Sequence, residues 1–161
     1  MEDTGFEIVF SIREAESDKG VVFKSDGKRF ATSSRTLKIS LDTMYKLTFV
    51  CTPYKKLDSL NILGKGLVLT EEGKEERFST YTTKWDTTGI LTKATARAER
   101  EEVPLALNGE FGSLKKIMQV KFYKNGDKHV ETGTEFESLL WKCDLNPEDK
   151  TEVVVVDELY Q

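Results

Sequence analysis

Histidine is almost missing from this chain: among 161 residues only His129 carries an imidazole, alongside two cysteines and three prolines. A histidine-rich metal centre or a His-centred catalytic triad would have that one ring to build on, and it stands beside Asn125-Gly126, a turn signal where a surface histidine is the commoner outcome. Cys51 and Cys143 each sit inside an apolar strand pattern, where a free thiol behaves as a small hydrophobe, so both are read as reduced core residues rather than a disulfide. No apolar run approaches the ~18 residues that span a bilayer, and stable insertion in a membrane is not expected. The opening Met1-Glu2-Asp3-Thr4-Gly5 has neither the charge nor the apolar stretch of a secretory signal, lacks the second-position glycine of a myristoylated chain, and no Asn-x-Ser/Thr follows. The expected compartment is the cytoplasm. Positive charge is not in excess either, with 24 Lys and Arg against 28 Asp and Glu, so nucleic acid is a poor partner.

What is present is enough apolar material for one core. The hydrophobic share is 38% and the charged share 32%, the balance of a folded domain, and the length predicts one domain over 1–161. Period-two alternation is the dominant pattern. Phe6, Ile8, Phe10 and Ile12 share one face of a strand; Leu37, Ile39 and Leu41 another; Tyr45, Leu47, Phe49 and Cys51 a third. Asp26-Gly27 after Val21-Val22-Phe23-Lys24 predicts a tight hairpin returning through Arg29-Phe30. Leu60-Asn61-Ile62 and Leu67-Val68-Leu69 read as short strands around Gly64 and Gly66, and Arg77 to Trp85 as a further β-rich run. In Ile117 to Tyr123, Met118, Val120 and Phe122 face one way, Gln119 and Lys121 the other, and Asn125-Gly126 predicts a return strand close behind. Phe136 to Cys143 and Glu152 to Val156 complete the set, the four valines being either well buried or an aggregation hazard. Only Leu91 to Glu102 has helix-forming composition, without an apolar face and ended by Pro104, so it is read as a charged surface connection with a turn or two of helix. Many short strands separated by turns predict an all-β fold, an antiparallel β-sandwich or a filled β-barrel.

Chemistry-bearing motifs are scarce. Gly64-Lys65-Gly66 lacks the Lys-Ser/Thr of a phosphate-binding loop, and Gly-x-Gly-x-x-Gly and Gly-x-Ser-x-Gly do not occur. Asp144, Asn146, Glu148 and Asp149 read as a solvated acidic turn rather than a calcium loop, because Pro147 and a missing central glycine break that pattern. Glu71-Glu72, Glu75-Glu76 and Glu101-Glu102 lie in hydrophilic runs where no burial would raise a carboxyl pKa for acid–base work. No nucleophile–base or metal constellation can be written, so the expectation is a binding protein without cofactor or catalysis. Phe49, Tyr81, Phe111, Phe122 and Trp141 either fill the interior or line a pocket for an apolar ligand, filling being the commoner outcome.

Val22-Phe23-Lys24-Ser25-Asp26-Gly27-Lys28-Arg29-Phe30, with Arg35-Thr36-Leu37-Lys38-Ile39 and Tyr45-Lys46 after it, resembles the opening of the cannabinoid receptor-interacting protein family. Trp85-Asp86-Thr87-Thr88-Gly89 with Thr92-Lys93 resembles that family's aromatic-Asp-Thr-x-Gly and Thr-Lys motif, Gln119-Val120-Lys121-Phe122-Tyr123 its signature strand, and Cys143 falls where a family cysteine does. The resemblance runs from Phe6 to Cys143. It implies a non-catalytic cytosolic accessory protein that binds the cytoplasmic C-terminal tail of a G-protein-coupled receptor and modulates its signalling. It also implies an immunoglobulin-like sandwich similar to the Rho guanine-nucleotide dissociation inhibitors, which hold a lipid between their sheets, so an acylated G-protein subunit or another lipidated protein is a second expected class of partner.

Two sets of site residues follow. For an extended, acidic receptor peptide the expected contacts are Lys28, Arg29, Lys93 and Lys121, near the matched motifs. For a lipid carrier the expected pocket is the aromatic set Phe49, Tyr81, Phe111, Phe122 and Trp141, each buried CH₂ of an acyl chain contributing about 0.8 kcal/mol.

Overall fold

The computed structural model describes residues 5–25, 35–73, 75–90, 100–145, 148 and 152–160. Within them run β1 (Phe6–Glu14), β2 (Val21–Ser25), β3 (Arg35–Ser40), β4 (Met44–Thr52), β5 (Leu57–Ile62), β6 (Lys65–Val68), β7 (Thr70–Glu71), β8 (Ser79–Asp86), β9 (Arg100–Gly109), β10 (Gly112–Tyr123), β11 (Thr134–Phe136), β12 (Leu139–Leu145) and β13 (Val153–Tyr160). A 3₁₀ turn, Lys128–Glu131, stands between β10 and β11. Among the described residues no helix is long and apolar enough to cross a membrane.

The strands form two sheets, ordered β13-β12-β1-β4-β8-β7 and β11-β2-β3-β10-β9-β5-β6. The first is antiparallel throughout; the second contains one parallel pair, β3 with β10. Between the sheets the described backbone makes only isolated bridges, Arg13 with Gly20 and Ser113 with Glu152, so the fold is a sandwich and not a closed barrel. The alternating residues of β1 and β4 all point into the core: Phe6, Ile8, Phe10 and Ile12 against Tyr45, Leu47, Phe49 and Cys51. From the second sheet they meet Leu37, Ile39, Val103, Leu105, Leu107, Val120 and Phe122. Aromatic rings join the layers, Phe6 to Phe111 at 5.0 Å, Trp85 to Phe122 at 6.4 Å and Phe23 to Tyr160 at 5.7 Å. Such pairs contribute about 0.5–1.5 kcal/mol each beyond their buried area.

Several sequence expectations need correction. The strand after Asn125-Gly126 does not return along β10: the chain makes the 3₁₀ turn, and β11 pairs with β2, while β10 is flanked by β3 and β9. Arg100, Glu101 and Glu102 are extended, not helical, and Pro104 lies inside β9. Helix propensity is a weak prior that strand pairing overrides: Arg100, Glu101 and Glu102 lie opposite Lys121, Val120 and Gln119 of β10. Pro104 is tolerated because it sits one residue past the end of the β5 ladder, where Ile62 faces Leu105, and its carbonyl accepts from the Leu63 N–H at 3.1 Å. Residues 91–99 of the helix-like run and the Asp26-Gly27 hairpin lie outside the described residues; β2 pairs with β3, Ser25 opposite Arg35. The two short strands are present as β5 and β6, but the turn is tighter than expected: Gly66 lies inside β6 opposite Asn61, and the turn is made by Leu63 and Gly64 at φ of 50° and 76°, the pair of left-handed residues that a tight turn requires. The valines are not well buried: Val153 and Val155 are half-buried against the core, while Val154 and Val156 are exposed on an edge strand.

Candidate peptide-binding face

On β10, Val120 and Phe122 enter the core, so Gln119, Lys121 and Tyr123 stand on the outer face of the second sheet. The parallel ladder sets Lys121 beside Lys38 and Gln119 beside Thr36, and the β2 ladder sets Lys24 beside Thr36. Three lysines from three strands thus share one face of a chain whose net charge is −4. Their mutual repulsion registers at Lys38, whose ammonium is held below its ordinary range by burial first, then by Lys24 and Lys121, with Asp127 opposing. Lys38 is occupied: its Nζ donates to the carbonyls of His129, at 3.0 Å, and Thr132, which pins the 3₁₀ turn over the sheet. Exposed Lys24 and half-buried Lys121 are left to meet a ligand. In the same ladder, Thr36 Oγ1 and Gln119 Oε1 are buried and have no hydrogen-bond partner among the described residues.

Of the four basic residues expected at the peptide site, Lys121 is placed on this face; Lys28, Arg29 and Lys93 lie outside the described residues. Lys24, Lys38 and Thr36 were missed as neighbours of Lys121. Their adjacency depends on a parallel pairing across more than eighty residues of chain, and no local pattern encodes it. Thr36, Lys38 and Ser40 are buried although they alternate with core residues, because β3 is covered on both faces.

The motifs that carry the family resemblance prove largely architectural. Trp85 is 1% exposed between Tyr45 and Phe122. The hydroxyl of buried Thr87 donates to the Ser40 carbonyl at 2.7 Å and accepts from the Thr43 N–H at 3.0 Å, tying the end of β8 to the β3–β4 corner. Hydrogen bonding from Thr88, its hydroxyl first and then its N–H, which donates to Asp86 Oδ1 at 2.9 Å, holds the Asp86 carboxyl below its usual range, and Gly89 follows at a φ of 83°. The Tyr45 hydroxyl accepts from the Ser40 N–H at 2.8 Å in the same corner.

All five aromatic residues expected of a lipid pocket, Phe49, Tyr81, Phe111, Phe122 and Trp141, are buried. Phe10 stacks between Phe49 and Trp141 at 5.1 and 5.7 Å. None of the five lines the cleft of about 370 Å³ beside the 3₁₀ turn, that of about 570 Å³ on the outer face of β9 and β10, or that of about 380 Å³ beside Trp85 and Asp86. Cys51 and Cys143 are free, and burial pushes both thiols up to about 12. Among the described residues no three His, Cys, Asp or Glu side chains are grouped to hold a metal ion.

No curated protein matches the chain closely enough to count as a relative. A family model does match, over residues 2–160, and so takes in the segments after Cys143 and from Leu91 to Glu102 as well as the motifs above. The chain belongs to the CB1 cannabinoid receptor-interacting protein 1 family.

Proposed function

We propose that the protein is a non-catalytic accessory protein that binds the cytoplasmic C-terminal tail of a cannabinoid-type G-protein-coupled receptor and modulates its signalling. The family's name supplies the receptor class. The observation that carries the rest is the basic row on the outer face of the second sheet, where Lys24 and Lys121 flank Lys38 in an otherwise acidic chain. Clustered like charge is relieved by an anionic ligand, which favours an acidic peptide and speeds its encounter. The protein acts in the cytoplasm and reaches the plasma membrane through this partner.

Titration of the purified protein with a labelled receptor-tail peptide, bare and acylated, tests the proposal. Saturable binding of the bare peptide, weakened by Lys121→Glu and by added salt, is expected. Binding of the acylated form alone would move the ligand into the aromatic interior and refute it.

A further inference from the structure

The outer face that carries Lys121 continues along β10 through every second residue: Lys115, Ile117, Gln119, Lys121. Ile117 is 60% exposed and stands opposite Pro104, with Lys115 opposite Ala106. Between these residues and Asn61 of β5 lies the shallow trough of about 570 Å³. Ala106 and Asn61 are short, so they leave room for a side chain, while Ile117 and Pro104 supply apolar surface and Lys115 a positive rim. One exposed isoleucine is ordinary; an isoleucine, a proline and an alanine around a depression that runs into a row of lysines make a place for an apolar anchor beside an anion.

The spacing turns this into a rule. Ile117 and Lys121 are four residues apart on one strand, about 13 Å at roughly 3.3 Å per residue, and an extended peptide lying along the strand advances at the same rate. Glu102 of β9 faces Gln119, midway between the two, and repels an acidic side chain there. Resting on the receptor-tail reading above, we infer that the ligand is an extended peptide in which an apolar side chain stands four positions from an acidic one. The apolar residue seats in the Ile117–Pro104–Ala106 trough and the acidic residue meets Lys121. Acidic residues two positions from the anchor are selected against.

The test uses the full chain and short labelled peptides with one fixed glutamate and a leucine placed from two to six positions away. Affinity is expected to peak at four positions, about tenfold above the other spacings. Ile117→Thr, which keeps the branched strand residue, should abolish that peak while leaving binding that Lys121→Glu still weakens. Affinity indifferent to spacing, or a peak untouched by Ile117→Thr, overturns the inference while the receptor-tail reading stands. If neither these peptides nor the tail binds, both fall together. Co-sedimentation with phosphatidylserine vesicles, or a concentration-dependent dimer, that is lost in Ile117→Thr would assign the trough to a membrane or to a second copy and overturn the inference as well.

Discussion

Glu158 accepts a 2.9 Å hydrogen bond from the indole N–H of buried Trp141, and the same carboxylate oxygen stands 2.7 Å from the ammonium of Lys116 in the opposite sheet. One side chain on the last strand thus satisfies a core donor and ties the two layers together. Glu158→Ala should destabilise the fold by about 1–3 kcal/mol, because it leaves the indole N–H unpaired. Glu158→Gln keeps an acceptor and loses only a partly exposed ion pair, about 0–1 kcal/mol. Urea unfolding followed by tryptophan fluorescence separates the two; equal losses would mean that the indole contact contributes nothing.

The corner built by Thr87 makes a second prediction. Thr87→Val strips a partner from both the Ser40 carbonyl and the Thr43 N–H and should lower stability by about 2–4 kcal/mol, whereas Thr87→Ser retains the hydroxyl and costs less. Thermal unfolding of the two variants checks this. A Val variant as stable as the Ser variant would show that the motif does not hold the corner.

The two buried thiols predict a pH dependence. Each is raised from 9.0 to about 12 in the folded chain by burial, so between those values the unfolded chain gives up protons that the folded one retains. Stability is therefore intact below about pH 9 and declines as pH rises toward 12, by up to about 1.4 kcal/mol per pH unit for each thiol. Cys51→Ala with Cys143→Ala should flatten that decline, as measured by denaturant unfolding across the range. Iodoacetamide should label neither thiol at pH 8 without denaturant, and both with it.

β1, β4 and the β5–β6 hairpin were legible in the sequence because their information is local: alternation on one buried face, and a Gly64 turn between two apolar runs. β9 was not, because the good helix formers Arg100, Glu101 and Glu102 and the helix-ending Pro104 mask the alternation of Val103, Leu105 and Leu107. Pairing order was equally hidden. Asn125-Gly126 does turn the chain, with Gly126 at a φ of 90°, but the carbonyls that Lys38 collects from His129 and Thr132 lead it across β3 rather than back along β10. The candidate site shares that limit. Lys121 shows its outward direction in its own strand, whereas Lys24, Lys38 and the trough beside Ile117 become its neighbours only through β3 and β9.

Lys38 predicts a coupling between the 3₁₀ turn and the lysine row. Lys38→Met should free the carbonyls of His129 and Thr132 and speed amide exchange across 128–132, while removing one repelling charge between Lys24 and Lys121. Hydrogen exchange read by mass spectrometry checks it; unchanged protection of that turn would show that the ammonium does not pin it.

The most direct test is calorimetric titration of the receptor-tail peptide into the wild-type protein and into Lys121→Glu, at low and at physiological salt. The account predicts saturable wild-type binding that weakens with salt and falls at least about tenfold in the variant, since reversing a charge converts attraction into repulsion. Equal affinity for both proteins would contradict the placement of the site on the Lys24–Lys38–Lys121 face.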